Sequence, residues 1–458
     1  MAARMLLVCL CALAAGGCRK GAGGRTSEAA TSPATAEESA PAEAGGTVVD
    51  APPSPSAEAT GEPPAVATAG GASAAALPEA PAWPTEEPCR LAARKVWHRE
   101  ARPMELPPTP PQPVDGLPKV LELAIDEGWN TCAVTPDRGV SCWGVGIRGA
   151  IGDDPAVRGR PGPIAGLADV AAILPSQTPH ACALGVDGTV TCFGAANSRQ
   201  LGSAANETTW TETPERVEGL PKAAALAVGF GFTCALAEDG TLRCWGRNES
   251  GQLGDGTREP RATPAPVPGL SGVTAISTGG EQACAVLADR TVRCWGELLA
   301  TRCRDPVVVP IAVPDLADVT QLSVGWDHAC ATIADGTVRC WGEGEGGQLG
   351  DGGLGRRFTP VAVPGITDAA AVEAGDGVTC ALLRDGSVRC WGKNQCGQAD
   401  GGASQHLYLE NPSPVPGVTD VAQLAVGGMQ SCVRRTDGSV LCWGATTPQQ
   451  LMSCLAAW

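Results

Sequence analysis

The chain has 458 residues and a formal net charge of −16, with 60 glycines, 39 prolines, 21 cysteines and 12 tryptophans against 4 phenylalanines and one tyrosine. That charge excludes a nucleic-acid binder, which needs a basic footprint, and disfavours adhesion to an anionic membrane surface; it serves solubility. Gly and Pro at this density demand many short strands joined by turns, and this much cysteine belongs either to a metal protein or to an exported, oxidised one.

The N-terminus selects the second option. Arg4 precedes an apolar run, Met5 to Ala15, which reads as a secretory signal too short to span a membrane. Ala15-Gly16-Gly17 ahead of Cys18 resemble the lipobox of bacterial lipoproteins, although Ala15 stands where Leu is commoner. The resemblance implies that residues 1–17 are a lipoprotein signal peptide and that Cys18 is the lipidation site. Two acyl chains suffice for stable attachment. Arg19 in place of Asp implies the outer membrane or cell surface, reached through this lipid only.

Residues 18–82 lack aromatic side chains and are rich in Ala, Pro, Ser, Thr, Gly and Glu. They cannot bury enough apolar surface to offset chain entropy, so they read as a disordered tether. About 64 such residues span roughly 45 Å on average. Trp83 marks the return of bulky residues, and residues 83–112 form a transition segment containing Cys89, Trp97 and a Pro-rich run.

Residues 113–458 repeat. Each unit has an apolar strand, a Gly-containing loop, Cys-Ala-Leu, an Asp-Gly turn, Val-x-Cys and Trp-Gly. Seven cysteine pairs recur: Cys132 with Cys142, Cys182 with Cys192, Cys234 with Cys244, Cys284 with Cys294, Cys330 with Cys340, Cys380 with Cys390, and Cys432 with Cys442. The two members always stand ten positions apart, and the first members follow one another every 46 to 52 residues. That period with four short strands per unit predicts an all-β, seven-bladed β-propeller. In the unit from 263 to 300, "PAPV", "VTAIS", "ACAVL" and "TVRCWG" are read as the four antiparallel strands of one blade. Strand parity puts the Gly loops and the segments after Trp-Gly on one variable face, and the Asp-Gly and "PGL" turns on a monotonous one. The last repeat lacks an outer strand, so residues 112–114 are expected to complete it and remove the open sheet edge.

The run "CALAEDGTLRCWGRNESGQLGDGT", Cys234 to Thr257, resembles the regulator of chromosome condensation repeat, and "CATIADGTVRCWGEGEGGQLGDGG" from Cys330 matches nearly as well. The likeness covers about residues 113 to 445. It weakens in blade two, where Phe193 replaces Trp, and in blade four, which lacks the Gly-Gln-Leu-Gly run. It implies a seven-bladed propeller, in agreement with the repeat count. The family includes a nucleotide-exchange factor for a small GTPase, an activity that an exported chain does not inherit. A secreted protein of similar fold binds a protein through loops on one face and is the better analogue.

Within "CALAEDGTLRC", Gly240 in the left-handed region closes a three-residue loop and brings Cys234 opposite Cys244. Opposed residues lie roughly 4.5 to 5.5 Å apart, within disulfide range. Each bridge stabilises by up to roughly 2.5–3 kcal/mol. Two thiols per blade do not make a four-ligand zinc site. Cys89, Cys303, Cys396 and Cys454 fall outside this ladder. Cys89 and Cys454 both flank the closure and are the favoured pair, with Cys396 to Cys454 the rival.

No catalytic set, cofactor motif or metal site emerges. His180 and His328 share a repeat position that holds Phe232 and Val378 elsewhere, so they read as strand-start residues rather than ligands. Asp137, Asp187, Asp239, Asp289, Asp335, Asp385 and Asp437 read as turn caps. Arg243, Arg293, Arg339 and Arg389 read as packed between blades rather than as an anion site. On the variable face, Trp129, Phe230, Trp326 and Met429 occupy equivalent loop positions and are the ligand-binding candidates; the alternative is that they plug the channel. The expected function is a monomeric, non-catalytic binding scaffold for a protein, peptide or glycan. A structural envelope or coat component is the alternative, ahead of a polysaccharide-active enzyme or an exchange factor.

Overall fold

The computed structural model describes residues 81–84, 109–126, 130–144, 160–176, 178–203, 210–298 and 305–456. The signal peptide, Cys18, nearly all of the tether, Trp129, Cys89 and Cys303 lie outside these residues. No helix among the described residues is long and apolar enough to cross a membrane.

Seven four-stranded antiparallel sheets form the ring. Their inner strands are Glu122–Ile125, Val170–Pro175, Ala223–Val228, Val273–Gly279, Val319–Val324, Ala369–Ala374 and Val421–Val426, for blades one to seven. The second and third strands of each blade carry the cysteine ladder, and all seven expected pairs are bridged. In blades one to three, Cys132 is joined to Cys142, Cys182 to Cys192 and Cys234 to Cys244. In blades four to seven, Cys284 is joined to Cys294, Cys330 to Cys340, Cys380 to Cys390 and Cys432 to Cys442. Their Cα–Cα distances are 4.0–4.1 Å. These are shorter than the expected spacing, because the two members of each pair stand directly opposite one another, as Cys234 and Cys244 do, at the closer, non-hydrogen-bonded kind of antiparallel position. Gly240 adopts φ +81° in the connecting turn, as expected.

The "PAPV" strand departs from its expected place. Arg261–Pro266 pairs with Leu242–Gly246, so it is the outer strand of blade three, not a partner of Val273–Gly279. The intervening "PGL" segment is a crossing from rim to channel rather than a hairpin. The same rule closes the ring: Thr109–Pro113 pairs with Val440–Gly444, Gln112 opposite Cys442, and is the outer strand of blade seven.

A helix, Pro448–Ala456, follows the last repeat. Thr446 and Gln450 both donate to the Thr109 hydroxyl and so tie the C-terminal segment to the closing strand. Cys454 on this helix is bridged to Cys396 in blade six, not to Cys89. The helix carries Cys454 onto the loop that follows Trp391-Gly392, where Cys396, Ala445 and Leu451 form a small buried cluster.

Between blades, Trp-Gly and Gly-Gln-Leu-Gly runs act together. In blade three, Gly251-Gln252-Leu253-Gly254 folds over blade four. The Gln252 carbonyl accepts the Trp295 indole N–H at 2.9 Å, Leu253 is fully buried, and the Gly256 amide donates to the Val308 carbonyl at 2.9 Å. Gly254 sits at φ +66°, and a Cβ there would meet the Trp295 ring at 2.8 Å, so glycine is required. The carbonyls of Gln200, Gln348 and Gln398 hold Trp245, Trp391 and Trp443 in the same way, each at 2.9 Å. Phe193 has no N–H to give and is simply buried.

Candidate functional site

The inner strands surround a cavity of about 270 Å³ along the ring axis. At one repeat position, Gln423 of blade seven accepts from the Leu123 amide at 3.1 Å and donates to the Leu123 carbonyl at 2.9 Å. Gln321 of blade five does the same with Val372, at 3.0 and 2.9 Å. Each carboxamide substitutes for a strand neighbour across a joint where inner strands diverge. Glu122 takes this position in blade one and accepts from the Ile173 amide at 3.1 Å. Burial pushes its carboxyl up to about 7, against the Ile173 amide and the nearby Arg434 charge. Two positions on, Glu373 of blade six accepts from the Ser323 hydroxyl at 2.9 Å and is likewise pushed up to about 7 by burial.

At the mouth, the loops of adjacent blades bond to one another. The Phe230 amide donates to the Gly280 carbonyl at 2.8 Å, and the Trp326 amide to that of Gly375 at 3.4 Å. Phe230 and Trp326 meet edge-to-face over blade four, with ring centres 5.4 Å apart and planes at 89°. The residue between them in repeat order is Gly280, at φ +50°, where a Cβ would meet the Trp326 carbonyl at 2.6 Å. Arg247 lies over the Phe230 ring, 5.4 Å from its centre. Its guanidinium is pinned by Glu281 at 2.5 Å and Glu249 at 2.6 Å, and Ser250 holds Glu281 from the other side at 2.6 Å. Beyond Trp326, Lys393 and Asp376 pair at 3.0 Å, which holds the lysine above its ordinary range despite burial.

The candidate residues therefore part company. Phe230 and Trp326 are half-buried and belong to none of the packed core clusters, whereas Met429 packs against the Cys396–Cys454 cluster under the C-terminal helix. The repeat pattern does not single out Arg247 and Glu281. Their signal in it is weak: Glu281 follows Gly280 in the variable loop, and Arg247 is the first residue after a Trp-Gly.

Asp327, His328 and Thr379 resemble a nucleophilic relay, with His328 3.4 Å from Asp327 and 2.8 Å from the Thr379 hydroxyl. The hydrogens run the wrong way for one. Thr379 gives its only O–H to the Gln348 carbonyl at 2.8 Å, so it accepts from His328 rather than being deprotonated by it. Thr379 is also fully buried. His180 sits equivalently in blade two, its ring held well below the ordinary histidine range, at about 4, by burial, with Thr233 of the next blade 3.5 Å away. In blade seven, Gln430 donates to Thr131 at 2.8 Å. The repeat position thus bonds to a hydroxyl of the next blade in blades two, five and seven, whereas Val378 of blade six has no polar group to offer Ser431. The turn aspartates are exposed and bond their own turns, as Asp239 does with the Thr241 amide and hydroxyl. Among the described residues no group of three or more His, Cys, Asp or Glu could hold a metal ion.

A closed ring of seven disulfide-stapled blades, with a structured loop cluster at one mouth, defines a repeat scaffold of the propeller class. Models of the regulator of chromosome condensation (RCC1) repeat match residues 223–252, 319–348 and 369–398, and residues 239–286 and 335–382. The matched residues lie in blades three to six of the seven-bladed propeller. The E3 ubiquitin-protein ligase HERC2 of mouse and of human is 32% identical over 146 residues, which is 30% of this chain; the match spans only 3% of the ligase's length. Yeast RCC1 (Prp20), solved bound to Kap60, superposes with TM-score 0.60 at 21% identity over 71% of this chain and 80% of that one. Human WBSCR16 superposes with TM-score 0.61 at 20% identity over 72% and 87%.

Proposed function

We propose that this chain is an exported, lipid-anchored scaffold that binds a protein partner through the loop cluster of blades three to five. The observation that carries this reading is the Phe230–Trp326 pair with Arg247 across it. Two half-buried rings and an oriented guanidinium that serve no core cluster are the residue types that dominate protein interfaces. A protein is favoured over a glycan because the yeast relative of the same fold was solved with a protein bound. Cys18, Phe230, Trp326 and Arg247 are the residues of this proposal; Met429 stabilises the closure instead.

The test is capture of partners from the native envelope by the full chain and by the double variant Phe230→Ala with Trp326→Ala. One buried aromatic anchor is worth about 2 kcal/mol, roughly thirtyfold in affinity. The double variant is expected to lose the partner while its thermal midpoint stays close to that of the parent. A large fall in midpoint with binding intact would make the rings structural and the reading wrong.

A further inference from the structure

The joint between blades one and two departs from the repeat at three positions. In blades three, four, six and seven the Trp-Gly indole donates to a glutamine carbonyl of the preceding blade. Blade two has Phe193 there, which has no N–H. Thr131, Thr233, Thr379 and Ser431 stand just before the first ladder cysteine in blades one, three, six and seven, and each hydroxyl bonds to the preceding blade. Blade two has Ala181 there, with no hydroxyl. The third position lies on the channel wall, where blade one has Glu122 in place of the glutamine of blades five and seven.

Register makes the three residues equivalent. Glu122, Gln321 and Gln423 each stand two before the residue opposite the first ladder cysteine, which is Ala124, Ser323 or Ala425. Their partners Ile173, Val372 and Leu123 each stand one before it in the next blade, before Leu174, Glu373 and Ala124. Gln423 and Gln321 each spend a whole carboxamide on one peptide unit. The side-chain oxygen accepts from the partner's amide, and Nε2 donates to the same partner's carbonyl. Glu122 Oε2 accepts from the Ile173 amide at 3.1 Å, which reproduces the first bond. The second needs a hydrogen that only the neutral carboxylic acid carries; an ionised group accepts only. We propose that Glu122 is a protonated stand-in for glutamine that donates to the Ile173 carbonyl, and that losing this proton loosens the joint between blades one and two.

The surroundings favour the neutral form. The strands Asn130–Val134, Val170–Pro175 and Val421–Val426 pack against that of Glu122 and bring no titratable side chain to it. The strand Gln430–Arg435 brings two arginines. Arg434 donates to the Gln423 side-chain oxygen at 3.1 Å, and Arg435 reaches the Gly417 carbonyl at 3.5 Å. Arg138 reaches the Val170 carbonyl at 3.4 Å, at the start of the blade-two strand. On the channel wall, Asp126 accepts from the Asn130 amide and side chain, and Glu373 from Ser323. Burial holds the Glu122 carboxyl at about 7 and outweighs both the Ile173 amide and the Arg434 charge. As the pH rises through that value the proton passes to water, and a carboxylate oxygen is left facing a carbonyl. The contribution is present in acid and lost towards alkali.

Hydrogen exchange at the Ile173 amide, corrected for the intrinsic rate, reads the joint. In the full chain, protection is expected to fall by about tenfold or more between pH 6 and pH 8. Glu122→Gln installs the residue of blades five and seven and is expected to hold protection within about twofold over that range. Glu122→Ala installs the residue that blades two, three, four and six carry, as Ala172, Ala225, Ala275 and Ala371, and is expected to give low protection at both values. In the Glu373→Gln chain, infrared difference spectra are expected to show one protonated-carboxyl C=O band at pH 6 that fades near pH 7 and vanishes when Glu122→Gln is added. A parent chain equally protected at pH 6 and pH 8 would overturn the proposal. So would a fall in protection, or a carboxyl band, that survives Glu122→Gln.

Discussion

The joint between blades five and six and the joint between blades four and five come from the same repeat, yet they are held differently. At the first, Gln348 holds both Trp391 and Thr379, Gln321 pairs with Val372, and Ser323 bonds both the Ala374 amide and Glu373. Every one of these contacts is made by a repeat residue at its repeat position. At the second, the Val324 amide donates to Ser277 at 3.0 Å and Gln282 to the Gly325 carbonyl at 3.4 Å. Its rim is filled by Trp83, from outside the repeats, and its mouth carries the Phe230–Trp326 pair. A joint relieved of its standard latch is free to present other chemistry, and the candidate interface lies over it.

The sharpest test of this contrast is truncation on each side. Trp391→Ala empties a fully buried site and orphans a latch carbonyl, and should cost about 3–5 kcal/mol in denaturant unfolding. Trp83→Ala, at a half-buried side chain, should cost about 1–2 kcal/mol. Equal costs would mean that the two joints are equivalent.

A smaller effect is a pH dependence carried by Glu373 at the joint of blades five and six and by Glu122 at that of blades one and two. The Glu373 carboxyl is raised to about 7 by burial, above its unfolded value. The folded chain therefore holds a proton that the unfolded chain has released, so this group's contribution to stability falls as pH rises from about 4.5 to about 7 and is constant above. Glu373→Gln should remove its share of that slope, leaving the share of Glu122, and raise stability at pH 7.5 by about 1–2 kcal/mol. Thermal midpoints measured from pH 4.5 to 8 would show it, and a parent-like slope in the variant would assign the dependence elsewhere.

The smallest effect belongs to the turn beneath blade four. Arg290 occupies the left-handed region, φ +61°, where five of the other blades place glycine and blade one places Arg138, and its carbonyl accepts from the Val319 amide of blade five at 3.1 Å. Arg290→Gly should relieve about 0.5–1 kcal/mol of backbone strain and raise the denaturant midpoint slightly. A fall would mean that the Arg290 side chain itself supports the joint.

The ladder, the blade number and the closing strand were legible in the sequence because each depends on a fixed spacing inside one repeat or on a strand missing from the last one. The edge strand of each blade was misplaced because "PAPV" is followed by a turn signal whichever sheet it joins, and only its partner decides. Met429, three positions before Cys432, and Trp326, four before Cys330, fall in the same loop of their repeats, and register alone puts both on the variable face. What covers Met429 is a helix that occurs once and leaves no period to read. Phe230 and Trp326 were visible as residues, but their meeting was not, because it spans two blades and depends on the missing Cβ of Gly280. Trp83 was visible only as the point where bulky residues resume, since its partner lies 275 positions away.

The closing strand Thr109–Pro113 reads Thr-Pro-Pro-Gln-Pro, so only two of its five residues carry a backbone N–H. It is the ring's thinnest seam, reinforced by the bonds from Thr446 and Gln450 to Thr109. For a domain held by its N-terminal end, that seam would be the first to peel under a pulling force. Along the chain, however, such a pull meets Trp83 before it meets Thr109. Such a pull would load the Trp83 contact at the rim of blades four and five before it loaded the buckle of the belt.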